Sequence, residues 1–221
     1  MPSRLVPPAA DPAAPALSKG EATRARLINA AYKLFLKQGF HGTSMRAIAD
    51  EAGLAVGGIY NHFATKDDIF AAVLDANHPY HTVLPALEAT QGETVEAFVL
   101  DAAHHFKAGL DTAQARLLPL MFMEMVEFQG RHLRALTAQL LPALFSFLQR
   151  LQTRRGRLRA VPAPVMLRTL FGIMIGYVVT GLVLRGLKNV PQLKGMDDYP
   201  WFDAMIDVYL HGILAEPEAA A

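Results

Sequence analysis

The sequence predicts an all-α protein. Apolar residues recur at helical spacing along most of its 221 residues, no stretch alternates with period two for long, and Gly or Pro stands where the apolar stripes stop. With 52% apolar residues the chain can bury a sizeable core and needs no metal or disulfide to fold. It has no cysteine, which excludes thiolate chemistry, thiol-ligated zinc and disulfides and fits a reducing compartment. The expected location is the cytoplasm.

Ser18 and Glu21 have capping-box spacing, and Leu27, Ala30, Ala31, Leu34 and Phe35 form one face of a first helix over 19–38 that Gly39 ends. Thr43 and Ser44 can cap a second helix over 45–52, with Met45, Ile48, Ala49 and Ala52 at i, i+3, i+4 and i+7 and Gly53 as its stop. Leu54 and Ala55 lead into a third helix over 56–63, in which Ile59 and Phe63 share a face. Two short helices about a Gly-containing turn make the helix-turn-helix pattern. Thr65 caps a fourth helix, with Asp67 and Asp68 in its first turn where the helix dipole favours negative charge; it runs to Asn77, and Pro79 breaks it. Further helices are expected over 93–110, 113–129, 132–153, 164–187 and 201–215, with Pro119 and Pro142 interrupting two of them.

Residues 1–18, rich in Pro and Ala, read as a disordered tail, and 216–221 as a second tail. Between them the expected division is a first domain over 19–69 and a second, larger one over 70–215. The longest apolar run, Thr169 to Leu184, falls short of the roughly 20 residues that span a bilayer and reads as a buried helix.

Charge is unevenly placed. Between Ser18 and Lys66 stand Lys19, Arg24, Arg26, Lys33, Lys37, Arg46 and Lys66 against Glu21, Asp50 and Glu51, a surplus of four positive charges in a chain whose net charge is +1. A small basic domain joined to a mildly acidic one points to a polyanion as the partner of the first. A short helix docked through Ile59 and Phe63 can turn Val56, Gly57, Tyr60 and Asn61 into the major groove, whose width admits one helix. Gly57 and Gly58 make it a poor helix in isolation but permit close approach of its backbone to DNA.

The segment from Thr43 to Phe70 resembles the DNA-binding signature of the tetracycline-repressor (TetR) family. It follows a first helix ending in Gly39-Phe40 and combines the Ile48-Ala49 pair, the Gly53 turn, Tyr60, Phe63, and Lys66 opening the next helix. The resemblance covers roughly residues 20 to 70. It implies an all-helical homodimer, an N-terminal three-helix domain with a larger C-terminal helical bundle, that binds a palindromic operator as a transcriptional regulator, most often a repressor released by a small apolar or aromatic ligand. It also implies that Thr43 and Tyr60 contact phosphates, that Lys66 and the start of its helix meet another, and that Arg46 lies near the backbone or a base. Readout then rests on Val56, Gly57, Gly58 and Asn61 with Arg46: Val56 suits a thymine methyl and Asn61 an adenine. Ser44, Ala55 and His62 complete the expected interface, His62 being equally readable as a packed aromatic residue. Two positions depart from the family pattern. Ala55 replaces a frequent capping Ser or Thr and Val56 a frequent polar or basic residue, which leaves fewer base hydrogen bonds and shifts readout toward DNA shape.

In the C-terminal part, Phe106, Met121, Phe122, Met125, Phe128, Met174, Tyr177 and Trp201 are candidates to line a ligand pocket, because Met-rich aromatic surfaces adapt to varied ligands; as stripes at helical spacing they read equally as core. Glu124 and Glu127 are expected to face solvent, or to stand at the pocket edge. Gly172 and Gly176, four apart, share a helix face and with Met205 are the expected dimer contact, the last two helices forming the interface. His104 and His105 near Asp101, and His78 near His81, lack the further ligands a metal site needs, so no metal or cofactor is expected. No GxSxG, P-loop, GxGxxG or HExxH pattern occurs, so an enzyme is not expected. The competing reading is a ligand-independent DNA-binding or architectural helical protein.

Overall fold

A computed structural model of the protein describes residues 18–184 and 200–214, the side chains of 110–115 excepted. The expected tails, Ser18 apart, lie outside these residues, as do the ends of the last two expected helices. Nine helices make up the regular structure of the described residues, with two isolated β-bridges, Thr94 to Arg155 and Leu158 to Leu214. The chain divides into two compact units, Met1–Ala76 and Asn77–Ala221.

The first unit holds α1 (Lys19–Gly42), α2 (Met45–Glu51), α3 (Val56–Ile59) and α4 (Lys66–Asn77). Ser18 caps α1 through the expected box: Glu21 N–H donates to Ser18 Oγ at 3.2 Å, and Ser18 N–H donates to the Glu21 carboxylate at 2.8 Å, which holds that carboxyl below its ordinary pKa. Gly39 breaks the helix where expected, with φ 74° and ψ 174°, and one further turn follows before Thr43. Leu27, Ala31, Phe35, Ile48, Ile59, Ile69, Phe70 and Leu74 meet in the core, and the Phe35, Phe40 and Phe70 rings lie 5.5–5.6 Å apart, centroid to centroid. The division between the units falls after Ala76, and α4 buries Ile69, Phe70, Ala72, Val73 and Leu74.

The second unit holds α5 (Tyr80–Ala89), α6 (Val95–Glu127), α7 (Arg131–Gln152), α8 (Ala163–Leu184) and α9 (Trp201–Ile213). Helix α5 was not expected: Pro79, read as a breaker, is its N-cap, and proline is well suited to the start of a helix. The two helices expected over 93–110 and 113–129 are one, α6, of 33 residues, which accommodates Pro119 in its interior. Phe98 stacks on Phe147 at 5.1 Å, and the core continues through Met166, Met174 and Val178 of α8 and Phe202, Ile206 and Leu210 of α9. Arg150 of α7 donates to the carbonyls of Leu87, Glu88 and Thr90, closing the end of α5.

Glu124 overturns its expected exposure. Its carboxylate is fully buried, accepting the backbone N–H of His132 at 2.6 Å and of Leu133 at 3.3 Å, with His132 Nδ1 at 2.8 Å. It thus serves donors in the first turn of α7, whose N-cap, Gly130, has no side chain to do so. Glu124→Ala is expected to lower stability by about 2–3 kcal/mol in urea denaturation, because a charged acceptor is lost and buried N–H groups are orphaned. Glu124→Gln, which keeps one acceptor oxygen, should lose less.

Candidate nucleic-acid interface

The turn between α2 and α3 is built by Gly53, whose φ of 66° suits glycine, and by Leu54 N–H, which donates to Ala49 O at 2.9 Å. Arg26 of α1 donates to Ala52 O, satisfying a carbonyl at the end of α2. A Cβ on Gly53 would lie 3.3 Å from that guanidinium, and the positive φ calls for glycine there. Helix α3 is a single turn, shorter than the expected 56–63, and its N-cap Ala55 offers no side-chain cap. Beyond it His62 N–H and Phe63 N–H both return to Ile59 O at 3.0 Å. Two glycines in four residues cannot sustain a longer helix, so burial of Ile59 and Phe63 fixes the segment.

The expected DNA-facing residues separate into three groups, the third being the buried Thr43. Ser44, Arg46, Ala55, Val56, Gly57, Tyr60 and Asn61 are exposed, Tyr60 at 55% of its surface, while Gly58, His62 and Lys66 are half-buried. Ser44 is the N-cap of α2, its Oγ accepting Ala47 N–H at 3.1 Å.

Only 2% of Thr43 is exposed, and its hydroxyl donates to Gly39 O at 2.8 Å and accepts from Gln38 Nε2 at 3.3 Å, so the side chain closes the Gly39 break. Lys66 also turns inward. Its ammonium donates to Phe40 O at 2.6 Å and Thr43 O at 2.7 Å and lies 4.3 Å from the centre of the Phe40 ring.

Other cations of the basic surplus have partners within the unit, although Lys33 and Arg46 stay exposed. Arg24 lies over the Phe63 ring, Arg26 holds Ala52 O, Lys33 pairs with Glu51 at 3.2 Å, and Arg46 stands 4.0 Å from Asp50. These partners, up to 39 residues away in sequence, were beyond the reach of a residue count.

In the second unit the eight expected pocket residues do not converge. Phe122 and Met125 are each 58% exposed, Met174 is core, and Phe106 and Tyr177 are half-buried against that core. On one continuous helix Phe106 and Met125 stand about 28 Å apart at 1.5 Å per residue, too far to line one small pocket. A cleft of about 280 Å³ lies elsewhere, lined by Val95, Gln152, Arg154, Gly156, Leu158, Arg159, Val161 and Met166. His104 meets Asp203 at 2.9 Å and His105 meets Asp101 at 3.4 Å, and among the described residues no group of three or more potential ligands could hold a metal ion.

Helices α2 and α3 about the Gly53 turn, docked through Ile59 and Phe63 with the other face of α3 exposed, form a helix-turn-helix. The family model for bacterial regulatory proteins of the tetR family matches residues 27–73. The chain is 30% identical over 182 residues to the HTH-type transcriptional regulator SrpR of Pseudomonas putida, covering 79% of this chain and 80% of that one. It is 28% identical over 164 residues to the HTH-type transcriptional regulator AcrR of Shigella flexneri, covering 72% and 76%. Its fold matches the crystal structure of the multidrug binding protein EbrR complexed with imidazole, with a TM-score of 0.56 and 22% identity over 88% of this chain and 97% of that one. The chain belongs to the TetR family of transcriptional regulators and is not of an enzyme family.

Lys66→Met should lower the stability of the protein by about 1–3 kcal/mol, since it leaves the carbonyls of Phe40 and Thr43 without their charged donor. Thermal denaturation without DNA checks this: a variant as stable as the parent would show that the two hydrogen bonds contribute nothing.

Proposed function

We propose that the protein is a cytoplasmic repressor that occupies a palindromic or near-palindromic operator as a homodimer, with α3 of each copy in the major groove, and is released by a small apolar or aromatic ligand. The observation that carries this reading is the division of the helix-turn-helix. Ile59 and Phe63 are buried, while Val56, Gly57, Tyr60 and Asn61 face solvent on the segment that would enter the groove. Tyr60 contributes a hydroxyl to a phosphate and Arg46 a charge beside it, and occupation of the operator excludes polymerase.

The second copy is supported by α8. Read in the sequence as a buried helix, it is apolar on all sides, yet within the chain it buries only Met166, Met174 and Val178. Phe171 is 57% exposed, as are Val165 and Val183 in large part, and Val208 on the neighbouring α9 is 71% exposed. A Cβ on Gly172 would meet nothing within 4 Å, so no neighbour in the same chain calls for that glycine, whereas Gly176 faces Met205 at 3.9 Å. A partner laid against Gly172, Phe171 and Val208 would remove this apolar surface from water.

The ligand is supported by the half-buried Phe106 and Tyr177 around the core that holds Met174, with Trp201 at the start of α9, and by the imidazole complex of EbrR, a protein of the same fold. A ligand that prefers one arrangement of this bundle by about 1–3 kcal/mol changes operator affinity about 5- to 150-fold.

Three outcomes are expected. Phe171→Glu and Val208→Glu should remain folded and shift the protein to monomer by light scattering; a fully dimeric double variant would reject this interface. On duplexes selected by the protein from a random pool, Tyr60→Phe should weaken binding, and Arg46→Ala should reduce the salt slope by about one; unchanged affinity and slope would remove both contacts. Apolar compounds that raise the melting temperature should also lower operator affinity. Stabilisation that leaves affinity intact favours a ligand-independent regulator.

A further inference from the structure

Two guanidinium groups of the second unit stand over one aromatic ring, and they are satisfied very differently. Phe98 is fully buried and stacked on Phe147, with Arg150 and Arg154 at 5.1 Å and 4.6 Å from its centre. Arg150 gives its N–H groups to the carbonyls of Leu87, Glu88 and Thr90. Arg154 has no such outlet. Its Nε is buried with no acceptor in reach, and among the described residues no carboxylate pairs with the group. A half-buried charge without a counter-charge costs free energy, of which the contact with the ring recovers a part.

Arg154 also lines the cleft of about 280 Å³, which lies where the first turn of α6, the end of α7 and the segment leading into α8 meet. From 150 to 160 the chain has five arginines and no acidic residue. Arg155 is paired with Glu93, whereas Arg159, exposed at the cleft, donates one N–H to Gly212 O at 2.9 Å and has others to give. Glu96 borders an adjoining hollow with Val95 and Gly156 but forms no ion pair with Arg154 or Arg159. Much of the remaining wall is apolar: Val95 and Met166 are buried and Val161 is half-buried. A cavity of about 150 Å³ holds a benzene ring, so this cleft suits one ring or a short branched chain with an acid group attached.

We infer that the cleft binds a small organic carboxylate, its apolar body against Val95, Val161 and Met166 and its oxygens on the guanidinium groups of Arg154 and Arg159. The site differs in place and in charge from that of the apolar ligand proposed above, and its occupation requires no DNA.

The probe is phenylacetate. Its companions are 2-phenylethanol, similar in shape but uncharged, and inorganic phosphate, which has no apolar body. In calorimetry on the full chain, phenylacetate should bind at one site with a Kd of about 1 mM or below, and each companion about 10-fold more weakly. Arg154→Met removes the charge and keeps a flexible side chain on the Phe98 ring. It should hold the melting temperature within about 2 °C of the parent's, because the charge it removes is unpaired. It should also weaken phenylacetate about 10-fold and leave 2-phenylethanol unchanged. Arg159→Gln, at an exposed position, should weaken phenylacetate about 3-fold, and it decides the matter if Arg154→Met does not fold. No heat from phenylacetate at about 5 mM, equal affinity for 2-phenylethanol, or parental affinity in both variants overturns the site. An Arg154→Met that loses stability and still binds as the parent does assigns the guanidinium to packing alone and overturns it as well.

Discussion

The Lys66 ammonium ends on the carbonyl oxygens of Phe40 and Thr43, so the start of α4, the last turn of α1 and the approach to α2 meet at one charged point. Much of the reading head follows from that junction. The Gly39 break brings the Phe40 carbonyl within reach, Thr43 closes the break through its hydroxyl, and the Phe35, Phe40 and Phe70 rings fill the space beneath. Helix α3, too short to persist by itself, is held in place through Ile59 and Phe63. Rigidity is built around the reading segment, and the segment itself contributes little.

The fold class, the capping box at Ser18, the break at Gly39 and the Gly53 turn were legible because each is local: a cap, a stop or a periodicity lies within one or two helical turns. Glu124 was not legible. Its partners are eight and nine residues on, beyond the end of its own helix, and an acid on an amphipathic helix reads as a solvated one. Helices α5 and α6 failed for a related reason. Proline was taken as a terminator, whereas Pro79 begins a helix and Pro119 is carried within one whose neighbours pack along it. The expected interface residues show the same limit: Lys66 turns inward to the carbonyls of Phe40 and Thr43, partners that adjacency in sequence does not reveal.

In the second unit, composition and structure draw different pictures of the same residues. A density of Met and Phe suggested one pocket, yet a single long helix distributes Phe106 and Met125 far apart and leaves Phe122 and Met125 at the surface. Helix α8 makes the converse point. Its uniform hydrophobicity is the signature of an interior helix, yet within the chain it buries only Met166, Met174 and Val178.

The inward-turned cations of the first unit bear on how such a protein searches a chromosome. A lysine on a free tether follows whichever phosphate is nearest and adheres to any duplex in almost any pose. A guanidinium held to the Ala52 carbonyl, or an ammonium held between two carbonyls, carries the same charge but cannot move with the encounter, so it reinforces one docking pose and contributes little to the rest.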